Sequence, residues 1–130
     1  MRIDVLARRM AEVESNNNPE AVGDDGRARG RWQMHPAWFI KWAVPQLGDT
    51  WDEAMARALL HYLRAQAAAG RSVFLAISAF HLGHDPKSHE DFRLAMAYTD
   101  RYGFSSAQLD SAVIGDNIVF DGFYGYVSAA

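Results

Sequence analysis

Apolar residues recur every third or fourth position where the chain begins. Ile3, Leu6, Met10 and Val13 share one face, so the spacing predicts an amphipathic helix from Ile3 to Glu14. Arg8, Arg9 and Glu12 fall off that face. A helix this short depends on packing rather than on propensity. The pattern then breaks. Ser15 to Arg31 holds three consecutive Asn, Pro19 and a run of Gly and Asp, which is loop chemistry: Asn and Gly accept positive φ, and Pro19 stops a helix. Within it, Gly23-Asp24-Asp25-Gly26 suits a turn or hairpin tip. Trp32, Met34, Trp38 and Phe39 bring the chain back to the core.

Pro36 opens a second helical stretch to Val44, with Trp38, Phe39 and Trp42 on one face. Thr50-Trp51-Asp52-Glu53 reads as a capping box. The helix behind it runs to about Ala69 and stops at Gly70, with Trp51, Met55, Leu59, Tyr62, Leu63 and Ala67 as its stripe and His61 off it. Ser72 caps a helix from Val73 to about His81. Nearly every residue in it is apolar, which predicts a buried central helix. Ser88, followed by Glu90 and Asp91, starts a last helix from His89 to about Tyr102, with Phe92, Ala95, Met96 and Thr99 expected inside and Gly103 as its end. The tail changes texture. Asn117 to Val127 reads as two short strands around Asp121-Gly122. The expected fold is mainly α, a helical domain over 1–104 with a C-terminal β-hairpin or arm over 105–130. That arm either packs on the helices or serves an oligomeric or partner contact.

The chain has 130 residues, enough for one domain with a real core, and no cysteine, so neither disulfides nor thiolate chemistry enter. The five His show no metal-binding spacing, and no metal or other cofactor is expected. A net charge of −3 argues against nucleic acid, although Arg27, Arg29 and Arg31 form a local basic strip. No stretch is long or apolar enough to span a bilayer. Met1 to Val5 begins no apolar run of signal-peptide length.

The chemistry concentrates around Glu14, on the last turn of the first helix and facing a long polar loop. A lone Glu there would be a solvated helix end. Here it stands in the order Glu14-Ser15, Asn18-Pro19-Glu20-Ala21, Gly23-Asp24-Asp25-Gly26 and Ala28-Arg29-Gly30-Arg31-Trp32-Gln33-Met34. That series resembles the goose-type lysozyme and soluble lytic transglycosylase superfamily, whose members cleave peptidoglycan glycan strands. It covers the first third of the chain closely and the rest loosely.

The resemblance implies a lysozyme-like domain with Glu14 as the catalytic acid. It implies that Asp24 holds an attacking water, although Asp24 also reads simply as a turn residue. Ser15, Trp32, Gln33 and His35 would line the substrate side, His35 standing where some goose-type enzymes carry a further Asp. Ala79-Phe80-His81-Leu82-Gly83 occupies the place of the family's Ala-Tyr-Asn-x-Gly, so Phe80 lacks a hydroxyl and His81 replaces an amide. The family's late Tyr is best matched by Tyr98, with Tyr102 second. The activity implied is a muramidase acting on the MurNAc-GlcNAc β-1,4 bond. A lytic transglycosylase leaving 1,6-anhydro ends, or a non-catalytic glycan- or protein-binding module, are the alternatives. Such a protein would be made in the cytoplasm and reach the cell wall through phage lysis, a virion or another non-classical route.

Overall fold

The structure, a computed structural model, describes residues 1–103 and the backbone of two strands, Asn117–Phe120 and Tyr124–Ser128. It is mainly helical. The elements in order are α1 (Ile3–Ser15), β1 (Val22–Gly23), a 3-10 turn (Asp24–Gly26), β2 (Ala28–Arg29), α2 (Pro36–Trp42), α3 (Trp51–Ala68), α4 (Val73–Leu82), α5 (His89–Thr99), β3 (Asn117–Phe120) and β4 (Tyr124–Ser128).

The first helix buries Ile3, Leu6 and Met10, and also Ala7 and Ala11, which let neighbouring elements come close. Its end is set by asparagine. Asn16 and Asn17 adopt left-handed conformations at φ 54° and 61°, and their N–H groups donate to Glu12 and Ala11 carbonyls at 2.9 and 3.0 Å. These bonds satisfy carbonyls that a helix terminus leaves open. The polar loop then folds into a small antiparallel hairpin, Val22 opposite Arg29 and Gly23 opposite Ala28, with the Asp24-Asp25 turn at its tip.

Arg31 ties this loop to the helices. Its Nε donates to Asp52 at 3.0 Å and its Nη1 to the Asn17 carbonyl at 3.0 Å. The basic strip is therefore not a free patch: Arg31 is committed to Asp52, and Arg29 Nε donates to the Gly26 carbonyl at 2.7 Å.

Local start signals produced the expected starts. Thr50 and Glu53 form both bonds of the capping box, each 3.1 Å. Ser72 accepts from Leu75 N–H and Ser88 from Asp91 N–H. Three expectations about burial are corrected. The most buried helix is α3, with Leu59, Leu60, Tyr62 and Leu63 inside, rather than α4, which buries only Val73, Ala76, Ile77 and Ser78. Being apolar all round does not centre a helix of ten residues when an eighteen-residue neighbour buries more of the core. Trp51, assigned to the α3 stripe, is 73% exposed: it is the first residue of the helix, and its ring meets Phe39 edge-on with centroids 6.0 Å apart.

On α5, Phe92 and Met96 are exposed (46% and 59%), and the inward face is Ala95, Tyr98 and Thr99, continued by Tyr102 in the turn beyond. The two buried tyrosines, hydrogen-bonded to each other, fix that rotation.

The tail strands pair antiparallel, Asn117 opposite Ser128 and Ile118 opposite Val127, as expected of two short strands there. β3 runs beside α1 and β4 beside α3. The boundary placed at 104/105 and the turn at Asp121-Gly122 lie outside the described residues.

Candidate functional site

Glu14 sits on the last turn of α1, with its side chain turned toward α5. Its Oε1 accepts a hydrogen bond from the Tyr98 hydroxyl, and the Tyr98 hydroxyl oxygen is 2.8 Å from the Tyr102 hydroxyl oxygen. Burial raises the Glu14 pKa above its ordinary value, and the Tyr98 hydrogen bond and the Arg101 charge oppose that rise without cancelling it. Burial also raises Tyr98 and Tyr102, so both stay neutral donors.

A cleft of about 410 Å³ opens in front of this carboxyl. It brings together Glu14, Asp24, Gln33, His35, Phe80 and His81, together with Ala28 and Arg101. Five separate stretches supply them: the end of α1, the small hairpin, the segment before α2, the end of α4 and the turn after α5.

Each position has a local cause. Asp24 stands at φ 50° in the hairpin tip, and its carboxylate is 3.0 Å from His35 Nε2. Asp residues tolerate that left-handed conformation because their short side chains bond locally. Gln33 is also left-handed, at φ 52°, and its Nε2 donates to the Gly30 carbonyl at 3.0 Å.

The other end of the Gln33 amide is packed against Gly23. A Cβ at position 23 would lie 2.4 Å from Gln33 Oε1. Gly23→Ala is therefore expected to swing the Gln33 side chain away while leaving the helices intact. Unchanged helical circular dichroism together with a shifted Gln33 side-chain amide NMR signal would check this.

Phe80 packs edge-on against Trp38, centroids 4.9 Å apart, and so joins the cleft to the core. His81 stacks on Tyr98 with centroids 3.9 Å apart and planes 7° from parallel. Burial first, and then Arg101, hold the His81 imidazole below its ordinary pKa.

Not every sequence-based candidate reaches the cleft. Trp32 is fully buried, its indole N–H donating to the Ala7 carbonyl at 2.8 Å, so it is a core residue that pins α1 and cannot touch a ligand. Ser15 turns inward as well: its hydroxyl donates to the Arg31 carbonyl at 2.7 Å and accepts from Asn18 N–H at 3.0 Å. Its role is to shape the loop. Tyr98 stands behind Glu14 rather than in the cleft.

Arg101 was not singled out from the sequence. Its Nη2 donates to the Val13 carbonyl at 2.8 Å and its guanidinium lies 5.6 Å over the Tyr98 ring. No pattern marks it, because a basic residue after a helix is ordinary.

Among the described residues no group of three His, Cys, Asp or Glu could hold a metal ion, and no helix is long and apolar enough to cross a membrane. The arrangement can deliver a proton from Glu14, hold a polar molecule at Asp24 and His35, and hydrogen-bond a ligand through Gln33 and His81. No family model matches this chain, and no curated protein or solved structure matches it.

Proposed function

We propose that this lysozyme-like domain cleaves peptidoglycan glycan strands at the MurNAc-GlcNAc β-1,4 bond, with Glu14 as general acid. The observation that carries the reading is a carboxyl with a raised pKa, fixed by Tyr98, at the wall of a cleft that also holds a second, solvated carboxylate. Two carboxyls in different environments are what glycoside hydrolysis requires. The order of motifs around Glu14 and Gln33 supplies the substrate class.

In the proposed reaction Glu14 gives its proton to the glycosidic oxygen as the bond to C1 breaks. A water held by Asp24 attacks C1 and passes its proton to Asp24, and one water is added overall. Gln33 and His81 hydrogen-bond the sugar. His35 steadies Asp24 from 3.0 Å. Activity then requires protonated Glu14, so it falls as pH rises through that group's raised pKa. Tyr98→Phe removes a hydrogen bond that favours the carboxylate. It is expected to move this alkaline limb to higher pH, as a pH profile of kcat/KM would show.

Mass spectrometry of digested peptidoglycan tests the reading. New reducing ends support hydrolysis. 1,6-anhydro ends would mean that the muramic acid's own 6-hydroxyl attacks, leaving Asp24 without a part, and the protein would be a lytic transglycosylase. Absence of any product would leave only a glycan- or protein-binding module. Access to the wall through phage lysis, a virion or another non-classical route belongs to the same proposal.

A further inference from the structure

Beside the cleft lies a second and larger cavity, of about 720 Å³. His35 lines both. A narrow hollow of about 100 Å³ sits between them, sharing Gln33 and Phe80 with the cleft and Trp38 and Gly83 with the cavity. The cleft and the cavity thus lie side by side, with His35 lining both.

The cavity's lining has a definite chemistry. Trp38, Trp42 and Tyr62 make an aromatic wall, with Tyr62 edge-on to the two indoles at 5.3 and 5.1 Å. The charged lining groups are Lys41, Arg71 and Asp85, with His84 beside them, so cations outnumber anions when His84 is neutral. Asp85 pairs with one arm of Arg71. Lys41 is exposed and stands 5.6 Å from the Trp42 ring.

Two polar atoms of the lining residues are buried without a hydrogen-bond partner among the described residues: Gln66 Oε1, an acceptor, and Arg71 Nε, a donor. Leaving such atoms unmet costs about 1–3 kcal/mol each. Both residues line the cavity. A peptide group offers an N–H to the one and a carbonyl to the other.

We propose that this cavity binds the carboxylate-bearing peptide stems attached to the glycan strand lying in the cleft. The inference rests on the peptidoglycan reading of that cleft. A neutral sugar would leave the cationic surplus unanswered, whereas a stem peptide brings carboxylates to Lys41 and Arg71, amide groups to Gln66 and Arg71, and alanyl methyls to the aromatic wall.

Titration calorimetry of the full chain with the N-acetylated tetrapeptide L-alanyl-γ-D-glutamyl-L-lysyl-D-alanine tests it. Saturable binding is expected, weakened about tenfold in Arg71→Gln and in Lys41→Gln. Lys41 is exposed, so its variant keeps the fold even if Arg71→Gln does not. Failure to saturate, or undiminished affinity in Lys41→Gln, would overturn the proposal.

Turnover separates this proposal from the one it rests on. Lys41→Gln should raise KM for intact sacculi and leave KM unchanged for glycan stripped of peptides by an amidase. Peptide binding without cleavage of either substrate would remove the muramidase reading alone. Cleavage of both substrates with equal KM in wild type and Lys41→Gln would remove the peptide site alone.

Discussion

Glu14→Gln is expected to lower peptidoglycan cleavage by at least about 100-fold, the scale of general acid catalysis, while making the protein more stable at neutral pH. Both effects have one cause. Folding moves the Glu14 carboxyl out of water and raises its pKa, so the charged form is disfavoured in the folded state. Between the ordinary carboxyl value of 4.5 and the raised folded value, the folded chain holds a proton that the unfolded chain has lost. Stability from this group therefore falls as pH rises through that window, and the cost is complete above the folded pKa. A glutamine has no charge to desolvate, and its amide oxygen can still accept from Tyr98. The melting temperature of Glu14→Gln should exceed that of wild type at pH 7, and the gain should vanish below pH 4.5. Retained cleavage in the variant would reject Glu14 as the acid. A lower melting temperature at pH 7 would show that the carboxyl is not desolvated in solution.

Such a trade of stability for chemistry is common where a site keeps a strained or buried group. The cleft has other signs of it. Asp24 and Gln33 both occupy left-handed backbone conformations that a non-glycine residue rarely adopts, and both face the same space.

What the sequence made legible was local. Caps and stops are written within four residues of where they act, so Thr50 with Glu53, Ser72, Ser88 and the asparagine run declared their roles before any coordinates. Burial was harder to read. Phe92 and Met96 are as apolar as a core position requires, yet α5 turns them outward, because Tyr98 and Tyr102 satisfy their hydroxyls at Glu14 and at each other. That preference depends on a contact 84 residues away, which periodicity cannot register. Trp51 and α4 misled in the same direction, since hydropathy reports what a residue would prefer and not what space the neighbours leave.

The site was legible only in its loop. Glu14, Asp24, Gln33 and His35 lie within one stretch of sequence, and the hairpin brings them together. The far wall depends on tertiary structure. Phe80 and His81 were placed there by analogy of motif, and Arg101 had no signal at all. Trp32 shows the limit of reading aromatics near a candidate acid: a large ring beside a catalytic motif can serve the core, and burial alone separates the two roles.

Trp32→Ala is expected to be the most destabilising single change of those considered. The side chain is fully buried, and it is the element that fastens the polar loop to α1 through the 2.8 Å bond to the Ala7 carbonyl. Truncating a buried Trp to Ala typically costs about 3–5 kcal/mol, from lost burial and the cavity left behind. For a domain of this size that corresponds to a fall in melting temperature of roughly 10–20 °C. Trp32→Phe keeps most of the volume and loses the indole N–H, so it should lose only a few degrees, since the Ala7 carbonyl still takes part in the helix. The pair separates packing from hydrogen bonding. Gln33 follows Trp32 directly and Glu14 lies two turns beyond Ala7 on the same helix, so loosening this anchor lets the two walls of the cleft drift apart. Activity in Trp32→Phe should therefore fall by more than its melting temperature alone accounts for at 25 °C, where the variant remains folded. Equal activity in Trp32→Phe and wild type would show that the hydrogen bond to Ala7 plays no part in holding Glu14 and Gln33 across from each other.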